Sequence, residues 1–302
     1  MDQGTNYIVY LSYGNEGILQ ECAYSLLSLS RLYAAEEWAN TEIWIYTDNP
    51  SLFTSFKDCP LPLHYRTLDK ETIKLWRGTI DFAHRVKIEA LRDLVKDKTG
   101  NILYVDTDSV YTHRIDKVWE KIQSGRLYMH VMEGIVSDQG NLVLQKLDRH
   151  LRKNAVKKVN GKPLHNLAMW NAGVLGFNTA HKHLLDEVLA FTDSQYPLFP
   201  KHVVEQFAFS VYFQETAPVL AAASYIVHYW HLKEMRAVLA SFFAHFRGCT
   251  WSELTTYSQL IQMHVQMQEK ASFFHNRGVW AALQKKKWLP LQHNWDELKK
   301  QL

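Results

Sequence analysis

The chain is poor in the residues that mark several large protein classes. Its three cysteines, Cys22, Cys59 and Cys249, stand far apart in 302 residues and no Cys-x-x-Cys occurs, which excludes a disulfide framework and a zinc ribbon. Glycine (13) and proline (8) are scarce, so collagen-like repeats and low-complexity linkers are excluded as well. Neither sign of charge dominates: 34 Lys and Arg against 31 Asp and Glu leave +3, too little to argue for nucleic acid as a partner. The dinucleotide-binding Gly-x-Gly-x-x-Gly, the phosphate-binding loop and the Gly-x-Ser-x-Gly elbow are all missing. The opening stretch MDQGTNYIVYLSYG begins with an acid, and its apolar run is five residues, Tyr7 to Leu11. Neither a signal peptide nor a membrane span is expected from it, and a reducing, cytoplasmic setting is the expectation. Hydrophobic residues, by contrast, make up 47%, with 10 Trp, 15 Tyr, 14 Phe and 15 His. That supply fits a sizeable core and one large α/β domain, alone or with a helical appendage.

The first half alternates strand and helix signals. YIVYLS (7–12), EIWIYTD (42–48), PLHYRTL (62–68) and NILYVD (101–106) read as strands, the last being the most apolar. Asp48, Asn49 and Pro50 read as a turn. Between the strands, 16–33 carries a helical stripe (Ile18, Cys22, Leu26, Leu29, Tyr33) and 82–96 another (Ile88, Leu91, Val95). This order predicts a mostly parallel sheet covered on both faces. Further strands are expected at 127–134, 169–178 and 223–230, with helices at 180–192 and 201–214. From 236 to 302 no strand signal remains, so the expected division is a domain over 1–235 and an α-helical extension over 236–302.

Four segments carry residues suited to chemistry. In Ile102-Leu103-Tyr104-Val105-Asp106-Thr107-Asp108 two carboxylates sit one residue apart where a buried strand ends. In a continuing strand they face the same way, and two hard oxygen donors at a sheet's carboxyl edge suit Mg²⁺ or Mn²⁺. In Met169-Trp170-Asn171-Ala172-Gly173-Val174-Leu175-Gly176-Phe177-Asn178, Asn171 offers donors and acceptors for hydroxyls, and Gly173 permits close backbone approach or marks a bulge. Glu205-Gln206 places an acid and an amide near the start of a helix. In Ile226-Val227-His228-Tyr229-Trp230-His231-Leu232-Lys233 a strand delivers His228 as a metal-ligand candidate, with His231 as its competitor, and Lys233 supplies charge for phosphate. Trp170 and Trp230 read as core residues or as faces for a sugar ring.

Taken in order, these segments resemble the GT-A glycosyltransferases, and among them the family 8, glycogenin-like group, over about residues 5–235. ILYVDTD resembles the family's metal motif, NAGVLGFN its sugar- and acceptor-facing strand, VEQFAFS its Asp-Gln segment and IVHYWHLK its terminal His-to-Lys motif. HRVKIEAL (84–91) resembles the helix whose lysine, here Lys87, reaches the nucleotide, and LSYGNEGILQECAYSLLSL (11–29) the first strand and loop. The resemblance implies a GT-A fold: a Rossmann-like mixed sheet with flanking helices. It also implies a metal-dependent, retaining transferase using a nucleotide-sugar of the UDP type and a glycan or lipid-linked acceptor. Carried over position by position, it implies metal ligation by Asp106, Asp108 and His228, and nucleotide contacts from Ser12, Tyr13, Lys87, Thr107 and Lys233. Asp106, Asn171 and Gly173 would face the sugar, with catalysis from Asn171, Glu205 and Gln206. Two departures stand out: Glu replaces Asp at 205, and only four residues, none of them Gly, separate His228 from Lys233.

Two basic stretches lie outside these motifs. Lys146, Arg149, Arg152, Lys153, Lys157, Lys158 and Lys162 either flank an acidic acceptor or form a solvated face. Lys285-Lys286-Lys287-Trp288, with Lys299 and Lys300, either touches the inner face of an anionic membrane peripherally or packs on the domain. Two rival readings remain from the sequence. One is a haloacid-dehalogenase-type phosphohydrolase with Asp106 as nucleophile; the other is a non-catalytic nucleotide- or glycan-binding domain.

Overall fold

The computed structural model describes residues 4–138, 141–154, 158–159, 162–283, 288–290, 293–300 and 302. Its strands in chain order are β1 (Thr5–Leu11), β2 (Thr41–Thr47), β3 (Leu63–Thr67), β4 (Gly100–Val105), β5 (Ser109–Tyr111), β6 (Leu127–Met129), β7 (Met132–Ile135), β8 (Lys158–Val159), β9 (Lys162–Pro163), β10 (Ala168–Trp170), β11 (Val174–Asn178), β12 (Val219–Ala221) and β13 (Ile226–His228). The α-helices are α1 (Glu16–Ser30), α2 (Pro50–Thr54), α3 (Lys70–Arg77), α4 (Arg85–Asp97), α5 (Asp116–Gln123), α6 (Leu142–Lys153), α7 (Leu184–Gln195), α8 (Val203–Thr216), α9 (Met235–His245), α10 (Trp251–Tyr257), α11 (Met263–Leu283) and α12 (Trp295–Lys299).

Seven strands form the central sheet, in the order β12-β6-β11-β4-β1-β2-β3. The run β4-β1-β2-β3 is parallel, β11 is antiparallel to β4 and β6, and β12 is parallel to β6. This is the mixed, mainly parallel sheet with flanking helices that the sequence predicts. Strands β1 and β4 are buried on both faces, and their side chains alternate between two apolar clusters. Ile8, Tyr10, Leu103 and Val105 join α1 and α9 on one side; Tyr7, Val9, Ile102 and Tyr104 join α4, α7 and α8 on the other. The chain lays β1, β2 and β3 outward, then returns to place β4 on the far side of β1. The carboxyl ends of β1 and β4 therefore flank a reversal of strand order, where open α/β sheets bind ligands.

Several element boundaries differ from the sequence expectation, each for a local reason. The strand expected at 127–134 divides into β6 and β7, and that at 169–178 into β10 and β11. Between the halves, His130 N–H donates to Asn171 O (3.0 Å) and Asn171 N–H donates to Val131 O (2.8 Å), so the two gaps bond to each other. Of 223–230 only Ile226–His228 is strand, paired with β5 outside the main sheet. Pro50 does not end a turn but opens α2, where its fixed φ suits the first helical position. Helix α1 stops at Ser30, short of Tyr33.

Residues from Met235 onward fold into α9 to α12. Helix α9 packs on α1, with Met235, Leu239 and Phe242 in the same cluster as Cys22 and Leu26. Arg236 donates from two nitrogens to the Glu21 carboxylate, both at 3.0 Å, and Glu21 is fully buried. Burial pushes the Glu21 carboxyl above its usual range, although Arg236 opposes that shift. Lys285–Lys287 lie outside the described residues; Lys299 lies 4.7 Å over the Tyr257 ring and Lys300 pairs with Glu297 at 2.7 Å. Among the described residues no helix is long and apolar enough to cross a membrane.

The Glu21–Arg236 pair yields a stability test. Arg236→Met strands a buried carboxylate and is expected to remove about 3 kcal/mol of unfolding free energy at neutral pH, read by denaturant titration. The Glu21 pKa is raised in the fold, so its favourable, protonated form is present at low pH and is lost as pH rises through the folded value. The deficit of Arg236→Met is therefore expected to shrink as pH falls and Glu21 takes up a proton.

Candidate active site

Strand β4 ends at Val105, and the Asp106 N–H then donates to Gly173 O at 2.8 Å. Residues 106–108 leave the sheet in a bend before β5 begins. The two carboxylates therefore do not share one strand face, as the i, i+2 argument had them; they converge because the chain bends. Their meeting point is His228 Nε2, 3.1 Å from Asp108 Oδ1 and 3.7 Å from Asp106 Oδ2. One ligand atom from each of the three lies within 4.8 Å of the others. His228 reaches this point because β13 pairs with β5, setting His228 opposite Ser109. His231 is exposed, with its ring against Trp230 at 5.4 Å, and is not part of this group.

Two lysines answer the negative charge. Lys87 rises from α4 into a buried position, where its Nζ donates to Ala172 O (3.0 Å) and lies 3.5 Å from Asp106 Oδ1. It also lies 3.2 Å from Glu205 Oε1, an ion-pair distance without hydrogen-bond alignment. Burial works to lower the Lys87 pKa, but Asp106 and Glu205 raise it above its usual value. Burial likewise pushes Glu205 up to about 7, against the pull of Lys87 and with help from Asp106. Lys233 bonds Asp108 Oδ2 directly. Burial acts to raise Asp108, yet His228 and Lys233 hold its carboxyl well below the usual carboxylate range. Tyr104 donates its hydroxyl to Asp106 Oδ1 at 2.6 Å.

Asn171 sits in the gap between β10 and β11. Its Nδ2 donates to Glu133 Oε1 (2.9 Å), while its Oδ1 accepts from Gly173 N–H (2.9 Å) and faces His228 Nδ1 at 2.9 Å. Gln206, on α8, donates to the other Glu133 oxygen at 2.7 Å. Gly173 is there for close approach: a Cβ at this position would lie 2.0 Å from His228 Nδ1. Thr107 is buried between the two aspartates. Ser12 is buried at the end of β1, its N–H on Tyr46 O (2.8 Å), with half-buried Tyr13 following near Arg77 and Asp48. Among the described residues, neither Ser12 nor Tyr13 shares a hydrogen bond with the aspartate cluster. Trp170 is half-buried with its indole N–H unpartnered, and Trp230 is exposed.

Three neighbours of this cluster are absent from the sequence reading. Tyr104 had a signal, since it precedes Asp106 by two positions in ILYVDTD. Glu133 and His130 had none. His130 meets His228 edge-on at 5.4 Å, and burial draws its pKa down to about 4, so it is neutral near pH 7. In the basic stretch, Arg152 pairs with Asp148 at 2.8 Å, and Lys157 lies outside the described residues. A cavity of about 660 Å³ opens between α1, α2 and α9, lined by Phe56, Ala240, Phe243 and Arg247 among others and by none of the aspartate cluster. Convergent chemistry, rather than cavity size, locates the candidate site.

No protein-family model matches the chain, and no curated protein does. Among solved structures it is similar to mouse xyloside xylosyltransferase 1 in its apo form: 12% identity over 72% of this chain and 86% of that one, TM-score 0.46. It is similar to galactosyltransferase LgtC in complex with donor and acceptor sugar analogs: 13% identity, 72% and 73% coverage, TM-score 0.45. It is also similar to the glycosyltransferase GlyE of Streptococcus pneumoniae TIGR4: 12% identity, 85% of this chain and 64% of that one, TM-score 0.48.

Two outcomes follow from this geometry. Gly173→Ala is expected to force the His228 ring away from both aspartates, seen as displaced imidazole resonances in NMR spectra of a still-folded protein. The Glu205 carboxyl is expected to titrate near 7 in a ¹³C NMR experiment, and Lys87→Met to move that midpoint upward, because the ammonium holds it down.

Proposed function

We propose that this protein is a metal-dependent glycosyltransferase that moves a sugar from a UDP-type nucleotide-sugar to a glycan or lipid-linked acceptor. The observation that carries the reading is the convergence of Asp106, Asp108 and His228 beside the strand-order reversal, bordered by Lys87 and Lys233. The ordered motifs of the sequence add the uridine nucleotide, and they add retention of anomeric configuration as the expected stereochemistry.

The donor set fits a hard divalent cation. Two carboxylates and one imidazole nitrogen whose ligand atoms lie within 4.8 Å of one another suit Mn²⁺ or Mg²⁺, with phosphate oxygens completing the shell. When bound, such an ion stabilises the charge of the departing diphosphate as a Lewis acid. The protein's own groups supply the rest. Lys233, half-exposed at the rim, is placed to give its charge to a phosphate in exchange for Asp108. Lys87 holds Asp106 from the buried side. Ser12, Tyr13 and Thr107 border the nucleotide at the adjoining strand ends. Asn171, Glu205 and Gln206 face the transferred sugar, their amide and carboxyl groups being suited to its hydroxyls. The glycine at 173 lets the imidazole of His228 lie against the backbone beside this site.

The test is a panel of nucleotide-sugars with Mn²⁺ or Mg²⁺, read as release of nucleoside diphosphate. Turnover is expected to require the ion and to fall at least about 100-fold in Asp106→Asn and in Asp108→Asn, since each removes charge that acts on the leaving group. Turnover that survives both substitutions would falsify the assignment. Hydrolysis of simple phosphate esters without sugar transfer would instead make Asp106 a phosphatase nucleophile.

A further inference from the structure

We propose that Glu133 is a positioning residue that orients two amides, turning the Asn171 oxygen toward His228 Nδ1 and leaving the oxygen end of Gln206 for a ligand. The proposal rests on the metal-dependent reading above and extends it to a residue that no motif marks. A carboxylate accepts hydrogen bonds and donates none. Glu133 Oε1 lies 2.9 Å from Asn171 Nδ2, so the NH₂ end of that amide is committed to Glu133. The Asn171 oxygen must then point the opposite way. The Gly173 N–H, which can only donate, fixes the same direction independently at 2.9 Å. His228 Nδ1 faces that oxygen at 2.9 Å, and two lone pairs cannot share such a contact. Nδ1 therefore carries hydrogen, and by the same rule a proton or a cation stands between Nε2 and the Asp108 oxygen it faces. Nε2 is the atom that faces Asp108 Oδ1 at 3.1 Å and Asp106 Oδ2 at 3.7 Å.

This is the relay that metal-ligating histidines use, in which the remote nitrogen is held by an outer hydrogen bond so that the near one is free to ligate. Here it runs carboxylate to amide to imidazole. Glu133 holds a second amide at the same time. Its Oε2 accepts from Gln206 Nε2 at 2.7 Å, which commits that NH₂ and leaves the Gln206 oxygen as the end available to a donor such as a sugar hydroxyl. One side chain on the short strand β7 thus orders two amides that reach it from the β10–β11 gap and from α8. Because Glu133 is only half-buried, its replacement by a residue of similar size leaves no large cavity.

The full chain is compared with Glu133→Leu and Glu133→Gln. Mn²⁺ affinity is measured without nucleotide, by electron paramagnetic resonance of the free ion, and the His228 Nδ1–H resonance by ¹⁵N-resolved NMR of the metal-free protein. The wild-type ring is expected to be protonated on Nδ1. Glu133→Leu is expected to weaken Mn²⁺ binding about 10- to 100-fold and to displace the His228 Nδ1–H resonance. Glu133→Gln, which keeps one carbonyl acceptor, is expected to fall between. Thermal melts establish that both variants are folded, and a merely structural role would shift the melt without moving that resonance. If Glu133→Leu binds Mn²⁺ as tightly as wild type with the His228 Nδ1–H resonance unmoved, the proposal is overturned. A wild-type chain with no affinity for Mn²⁺ sinks the underlying metal-dependent reading, and the proposal with it; the wild-type measurement alone reveals that failure.

Discussion

Asp106 and Asp108 are held against one imidazole where a buried strand ends, and like charges in so little water need counter-charge from the protein itself. Lys87 answers from beneath, Lys233 from the rim, and the Tyr104 hydroxyl from the strand that leads in. Each arrives on a different element. Lys87 comes from the helix before β4, Lys233 from the turn before α9, and His228 from a strand outside the main sheet. The sheet order is what allows them to meet, since the reversal between β1 and β4 opens a space at the carboxyl ends that helices cannot fill. An ion pair as buried as Lys87 with Glu205 is costly to assemble, and its presence here argues for placement of charge rather than for stability.

The antiparallel strand β11 has a second part in this. It enters beside β4, so the residues just before it, Asn171 to Gly173, lie level with Asp106 at the end of β4. The Gly173 carbonyl takes the Asp106 N–H, the Ala172 carbonyl takes Lys87, and the Asn171 side chain meets His228. Three successive residues thus bond three parts of the cluster. The absence of a side chain at 173 lets the imidazole lie against the backbone.

Local chemistry made much of this legible in the sequence. The ILYVDTD strand is continuous apolar chain ending in two acids, and both its burial and its end point follow from composition alone. His228 was distinguishable from His231 only as the residue that ends an apolar run, and the structure shows why this mattered: the strand ladder carries 228 inward and leaves 231 outside. The sequence reads as one strand over 169–178 because its apolar pattern continues through the gap. What breaks it is a pair of hydrogen bonds to residues 130 and 131, some forty positions earlier, which no local pattern encodes. Glu133 was invisible for the same reason. Its partners lie 38 and 73 positions away, and a lone glutamate within a short strand carries no signature. The convergence of Asp106 and Asp108 was anticipated, but through strand alternation; the chain achieves it with a bend instead.

The three-rung ladder between β5 and β13 closes a separation of 120 positions between Asp108 and His228. Contacts that distant are slow to form, because the intervening chain must be ordered before they give any return. A ribosome that has released only the first two hundred residues has made both aspartates, the Asn-Ala-Gly gap and Lys87, yet neither His228 nor Lys233. Until those arrive, Asp108 has no partner cation and the centre is only a pair of acids at a strand end. Completion of the site therefore waits on the synthesis of residues 228 and 233, well after both aspartates have been made.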